Sequence, residues 1–181
     1  MSVQAGYYGP PGSGADPVVV TARLDQRATA RFQAWRDTLF PAGRTQVAAH
    51  LTLFHRLPGE ALPAIAAAVA ERAPAGQIDA LAASPRFLGR GFAVDIEAPA
   101  LVALHKDLAR AWSPWLTPQD RQRFHPHVTL QNKADPAAAR KAFAVFSADF
   151  VPFSVRIEGI DLFVYRGGPW EPAGTVAFTG G

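Results

Sequence analysis

Two segments of this chain, 77 residues apart, spell nearly the same thing: His50-Leu51-Thr52-Leu53 and His127-Val128-Thr129-Leu130. Each reads histidine, apolar, threonine, apolar. On a β-strand, residues two apart share a face, so each segment sets an imidazole beside a hydroxyl and turns its apolar neighbours into a core. The repeat runs further than the motif. The same displacement carries the helix start near Gly59 onto Pro136 and lays the strand pair that follows over a second pair. A duplicated unit of motif strand, helix and two strands restricts the fold to two alike lobes. Packed about a pseudo-twofold axis, they bring the motif strands face to face across a central cleft. The expected class is α+β, a bilobal duplicated fold of two antiparallel β-sheets with flanking helices. Residues 17–181 form that single domain, with lobes at approximately 17–97 and 98–181. Residues 1–16, rich in Gly, Pro and Ser, read as a flexible tail.

The remaining pattern fills in the elements. A β-branched run at 18–22 is a strand. Asp25 opens a helix to about residue 39, with Phe32, Trp35 and Leu39 on one face and Pro41 and Gly43 as its stop. The first motif strand is expected over 47–54. Leu62, Ile65 and Val69 mark a helix, as do Leu101, Leu104, Leu108 and Trp112. Strands follow at 78–88 and 91–96, turned by Gly89-Arg90-Gly91. The second motif strand covers 127–131. Asp135-Pro136 then supplies an N-cap and a first-turn proline for a helix carrying Phe143 and Phe146. Final strands are expected at 153–165 and 175–178.

Composition excludes several classes. The chain has no cysteine, hence no disulfide, thiolate metal site or cysteine nucleophile. A net charge of +3 suits an anionic substrate but lacks the dense basic clusters of a tight duplex binder. The longest apolar stretch, residues 61–70, is about half a membrane span. The N-terminus lacks the pattern of a signal peptide, and a cytoplasmic protein with no membrane association is expected. Gly9 to Gly14 lacks both the Gly-Lys-Ser/Thr ending and the preceding strand of a phosphate-binding loop.

Two histidines and two threonines on facing strands can break or make a phosphodiester bond without a metal. Imidazole is the side chain whose ordinary pKa suits both proton donation and proton removal near neutrality. The hydroxyls can donate to non-bridging phosphate oxygens in the transition state. These motifs, in the contexts Ala49-His-Leu-Thr-Leu-Phe54 and Phe124-His-Pro-His-Val-Thr-Leu130, resemble those of the 2H phosphoesterase superfamily. They look most like its bacterial branch of 2′-5′ RNA ligases and cyclic nucleotide phosphodiesterases. The resemblance covers residues 17–178. It implies a bilobal α+β fold, an active site of His50, Thr52, His127 and Thr129, and neither metal nor cofactor. It also implies substrates that are RNA ends or nucleotides bearing a 2′,3′-cyclic phosphate or a 2′-5′ linkage. No obligate protein partner is evident. The sequence leaves open which histidine is the acid; the working assignment makes His50 the acid and His127 the base.

Further residues are candidates for binding the rest of a substrate. Gln131 and Phe54 lie two past their threonines, where strand alternation places them on the same face as the motif. Arg90 sits at a strand turn. Tyr165 and Arg166 end a strand, and the turn after them delivers Trp170, so that Arg166 is placed for phosphate and an aromatic for a nucleobase. Arg44, Arg121, Arg123 and Lys133 read singly as solvated basic residues. His125 lacks the further ligands of a metal site. Two alternatives to this reading remain: a non-catalytic nucleotide or RNA-phosphate binding module, and a phosphoesterase for a non-nucleotide substrate.

Overall fold

Side-chain caps start two of the helices where the sequence places them. The Asp25 carboxylate accepts the Ala28 N–H at 2.9 Å, and Asp135 accepts those of Ala137 and Ala138 at 3.0 Å. The computed structural model describes residues 16–40, 43 and 47–178. The expected tail, except Asp16, and Arg44 lie outside them. The elements are β1 (Val18–Leu24), α1 (Gln26–Leu39), β2 (Leu51–Leu57), α2 (Leu62–Arg72), β3 (Ile78–Phe87), β4 (Phe92–Glu97), α3 (Pro99–Ala111), β5 (His127–Gln131), α4 (Pro136–Asp149), β6 (Phe153–Val164) and β7 (Glu171–Ala177).

Two strands differ from expectation. β2 starts at Leu51 instead of residue 47 and runs on to Leu57, because Leu57 still pairs with Val18 of β1. β7 starts at Glu171, four residues earlier than expected. It is almost wholly exposed and carries Pro172, so it shows no alternation of apolar residues for a sequence reading to find.

All strand pairings are antiparallel, in the order β2-β1-β6-β3-β4-β5, with β7 added to β6. This order is its own image when β1, β2 and β3 exchange with β4, β5 and β6. The pseudo-twofold axis passes through the β3–β6 pairing. There Asp79 is opposite Arg156, the residue 77 positions later, and Ile78 and Ala80 face Ile157 and Val155. The two antiparallel sheets expected are thus continuous through the centre, as one seven-stranded sheet. Each spatial half draws on both halves of the sequence. β6 and β7 join β1 and β2, and α1 leaves β1 to pack on β5.

The aromatic side chains show which helix covers which half. Phe32 and Trp35 of α1 meet Phe153, and Trp35 meets Phe146 of α4 edge-on with centroids 5.0 Å apart. Phe143 and Phe146 of α4 also lie on Phe92 of β4. α3 presents His105 to Phe54 of β2, with Trp112 just past its end on the same ring, and packs on α2. Phe32, Phe54, Phe92 and Trp112, all but inaccessible to solvent, are the largest side chains of the core. Burial of each such ring contributes about 1.5–3 kcal/mol. No helix among the described residues is long and apolar enough to cross a membrane.

Candidate active site

β2 and β5 end the strand order at opposite edges, yet the sheet curls until they touch. The first motif sits at the start of β2 and the second opens β5, so each histidine stands at the N-terminal end of an edge strand. The two rings are held in the same way. His50 Nδ1 lies 2.7 Å from the Ala48 carbonyl, and His127 Nδ1 lies 2.7 Å from the His125 carbonyl. A carbonyl oxygen can only accept, so Nδ1 carries the proton in both rings, and Nε2 is left for chemistry.

Arg36 of α1 joins the two motifs. Its guanidinium donates to the Thr129 carbonyl at 2.7 Å and to the Val47 carbonyl at 2.9 Å, and the residue is only 3% exposed. One buried fork therefore ties β5 to the segment that leads into His50. Sequence reading passed over this residue. Its signal was a charge on the apolar stripe of a helix, at the same phase as the buried Ala28 and Phe32.

Burial lowers the proton affinity of His50 to a pKa of about 4. The Ala48 carbonyl opposes that shift, while the positive charges of Arg36, His55 and His127 add to it. His127 is lowered too, first by burial. There the His125 carbonyl and the Asp95 carboxylate act against it and Arg86 acts with it. Both rings are thus neutral at pH 7 before an anion arrives. Asp95, opposite His127 in the β4–β5 register, is clamped by Arg86 at 2.8 Å. In the other half, Thr21 stands between Thr52 and Asp161, and Asp161 is clamped by Arg23 at 3.1 Å and Thr175 at 2.7 Å. The Thr52 and Thr129 hydroxyls have no acceptor among the described residues, which leaves both for a ligand.

The model of the 2′-5′ RNA ligase superfamily matches residues 24–169. The chain belongs to this superfamily of 2H phosphoesterases. No curated protein gives a match. Among solved structures, a phosphoesterase is similar at 20% identity and a TM-score of 0.60, covering 91% of this chain and 99% of its own. E. coli LigT complexed with 3′-AMP is similar at 18% identity and 0.58, covering 91% and 99%. TT0787 of Thermus thermophilus is similar at 18% identity and 0.58, covering 91% and 98%. At these identities the structures show the shared fold.

Within this 2H phosphoesterase fold, the other expected residues separate. Phe54 and Gln131 do not share the motif face. Thr21 pairs with Thr52 but the adjacent Val20 pairs with Phe54, and Ala93 pairs with Thr129 while the adjacent Phe92 pairs with Gln131. Each motif strand carries one extra residue there, a β-bulge that turns the side chain after it inward. Phe54 is fully buried and stacked on His105 at 4.4 Å. Gln131 is 7% exposed and donates to the Leu39 carbonyl at the end of α1. Gly91 makes room at the second bulge, since a Cβ there would collide with the Gln131 carbonyl. Alternation failed at equivalent positions in both halves because the bulge itself is duplicated.

Arg90 braces the loop after β5 by donating to the Ala134 carbonyl at 3.2 Å, remote from the histidine end of the strand. Arg166 is held by Asp16 at 3.2 Å and Glu171 at 2.9 Å, so its charge is spent in ion pairs. Tyr165 is half-buried past the end of β6, with its amide on the Pro17 carbonyl. Trp170 does reach the site. Its ring lies 4.6 Å from that of His50, tilted by 54°, and 5.7 Å from Phe163. His55 and His105, read as structural or exposed, are structural. His55 binds the buried Asp120 at 2.8 Å, and His105 is sandwiched between Phe54 and Phe124.

Proposed function

We propose that this chain is a metal-independent phosphoesterase that opens 2′,3′-cyclic phosphates, or acts reversibly on 2′-5′ phosphodiesters, at RNA ends or in small nucleotides. The observation that carries this reading is the matched hold on the two imidazoles, each through Nδ1 to the carbonyl two residues back. In this reading the two Nε2 atoms address opposite sides of one phosphorus, as in-line displacement requires, and the contact between the two edge strands supports it. One neutral Nε2 takes a proton from water as its oxygen bonds to phosphorus. The other ring, protonated once the anionic substrate raises its proton affinity, gives its proton to the departing ribose 3′-oxygen. The product is a 2′-phosphate. Thr52 and Thr129 donate to the non-bridging oxygens and stabilise the charge that gathers there.

Trp170 supports a nucleotide over a non-nucleotide substrate, since an indole beside the catalytic ring gives a base a face to stack on. E. coli LigT, of the same fold, has been crystallised with NADP+ and with ATP, in keeping with a nucleotide ligand.

The test is a panel of 2′,3′-cyclic, 2′-5′ and 3′-5′ phosphates in EDTA, with the position of the product phosphate assigned by NMR. Turnover of the first two classes is expected. His50→Ala and His127→Ala should each lower it on the order of a hundredfold or more, and either threonine to alanine by roughly ten- to a hundredfold. Activity that vanishes in EDTA and returns with zinc overturns the metal-free reading. Turnover unchanged in both histidine variants moves the chemistry elsewhere.

A further inference from the structure

The catalytic quartet is duplicated, but its flanks are not alike. Two crevices stand in pseudo-equivalent places. One, of about 740 Å³, lies between β1 and α1 and is lined by the segment Val47 to His50. The other, of about 640 Å³, lies between β4 and α3 and is lined by the segment Arg123 to Pro126, just before His127. Asp161 in the first stands 77 residues after Ser84 in the second, as the twofold requires.

Their charges diverge. In the crevice beside His50, the cation Arg23 is committed to Asp161, Glu158 has no ion pair among the described residues, and Phe163 and Trp170 form an aromatic wall. In the crevice beside His127, Lys106, Arg121 and Arg123 form no ion pair among the described residues. Arg121 donates only to the carbonyls of Leu116 and Ser113, which leaves its charge in place. Two of the three carboxylates there are already engaged. Asp95 is held by Arg86, and Asp120 by the amides of His55 and Arg56 and by the His55 ring. Of the residues lining this crevice, Glu97 and the buried Asp120, whose bonds to neutral amides leave its charge in place, oppose the three cations, which keep the excess. Unneutralised guanidinium and ammonium groups in a concave site select phosphate.

We propose that the crevice between β4 and α3 is a second phosphate subsite, which takes the 5′-phosphate of the nucleotide whose 2′,3′-phosphate reacts. This rests on the reading of His50 and His127 as acting on that phosphate. It makes an RNA end, in which the 5′-phosphate is the next link of the chain, a better substrate than a lone nucleoside cyclic phosphate. It also gives the substrate a direction. The chain leaves over the basic crevice beside His127, and the aromatic wall beside His50 is left for a base.

The experiment compares equilibrium binding of a nucleoside 2′-monophosphate with that of the matching 2′,5′-bisphosphate to the full chain by calorimetry at low and high salt. The 5′-phosphate is expected to tighten binding about tenfold at low salt, and the gain should shrink as salt rises. In the Lys106→Ala/Arg123→Ala double variant the gain should fall below twofold. Both side chains are exposed, so the fold should survive, as circular dichroism will show. Lys141→Ala, on α4, should keep the gain. Equal affinities for the two ligands in the unaltered protein overturn the proposal, as does a gain that persists in the double variant. Should the protein open no cyclic phosphate yet show a gain that the double variant loses, the phosphodiesterase reading fails and the subsite stands. Turnover without the gain has the opposite meaning.

Discussion

A histidine used for proton transfer is shaped by what holds its other nitrogen and by what surrounds its ring. Here both rings donate through Nδ1, and both are pushed below the ordinary imidazole range by burial. The base works above its own pKa and the acid below its own, so lowering both moves the bell-shaped profile of kcat/KM toward acid. The optimum is expected below pH 6.5 whichever ring is the base; an optimum above pH 7 would contradict the burial argument. Trp170 is the second determinant at this scale. Trp170→Ala should raise KM for nucleoside substrates roughly tenfold, the scale of one lost base stack, with a smaller change in kcat. Trp170→Phe should restore much of the loss. Nothing in the local pattern ranks the indole above Tyr165 and Arg166, because only the β6–β7 hairpin decides which of the three reaches His50.

The elements owe their alignment to polar braces that cross between the halves. Arg36 of α1 holds the backbone of β5, and Asp120, from the loop before β5, takes the amides of His55 and Arg56 on β2. Each motif strand is an edge, and an edge with open backbone groups is free to slide or to pair elsewhere. The braces close these edges with elements from the opposite repeat. Arg36→Met should cost about 3 kcal/mol or more, the scale of two hydrogen bonds from a charged donor, seen as a lower Tm. Arg36→Lys keeps the charge but not the fork. It should lower kcat more than KM, because the segments carrying His50 and His127 lose their common anchor. A variant of full stability and normal kcat would deny Arg36 any part in alignment. Such contacts were out of reach of periodicity, since the partners lie 93 and 65 residues apart.

At the scale of the molecule, the desolvated histidines tie stability to pH. His50, His127 and His105 all have lowered pKa values, His50 and His105 to about 4, each chiefly through burial. Above pH 6.5 these rings are neutral both folded and unfolded and add no pH dependence. Between pH 6.5 and about 4 the unfolded chain takes up protons that the folded chain refuses, so stability falls as pH falls. His105→Phe keeps an aromatic ring between Phe54 and Phe124 and should flatten the dependence of Tm on pH over that window. An unchanged slope would mean that the ring takes up its proton without opening the stack. The sequence by itself determined the repeat, the helix starts at Asp25 and Asp135, and the quartet of two imidazoles and two hydroxyls, because caps and strand alternation act over a few residues and need no distant partner. Only the tertiary structure decided that the halves trade helices and strands, that a bulge turns Phe54 and Gln131 inward, and that Arg36 spans both motifs. Those outcomes depend on which edges meet when the sheet curls, and long-range packing is not written in any local stretch of chain.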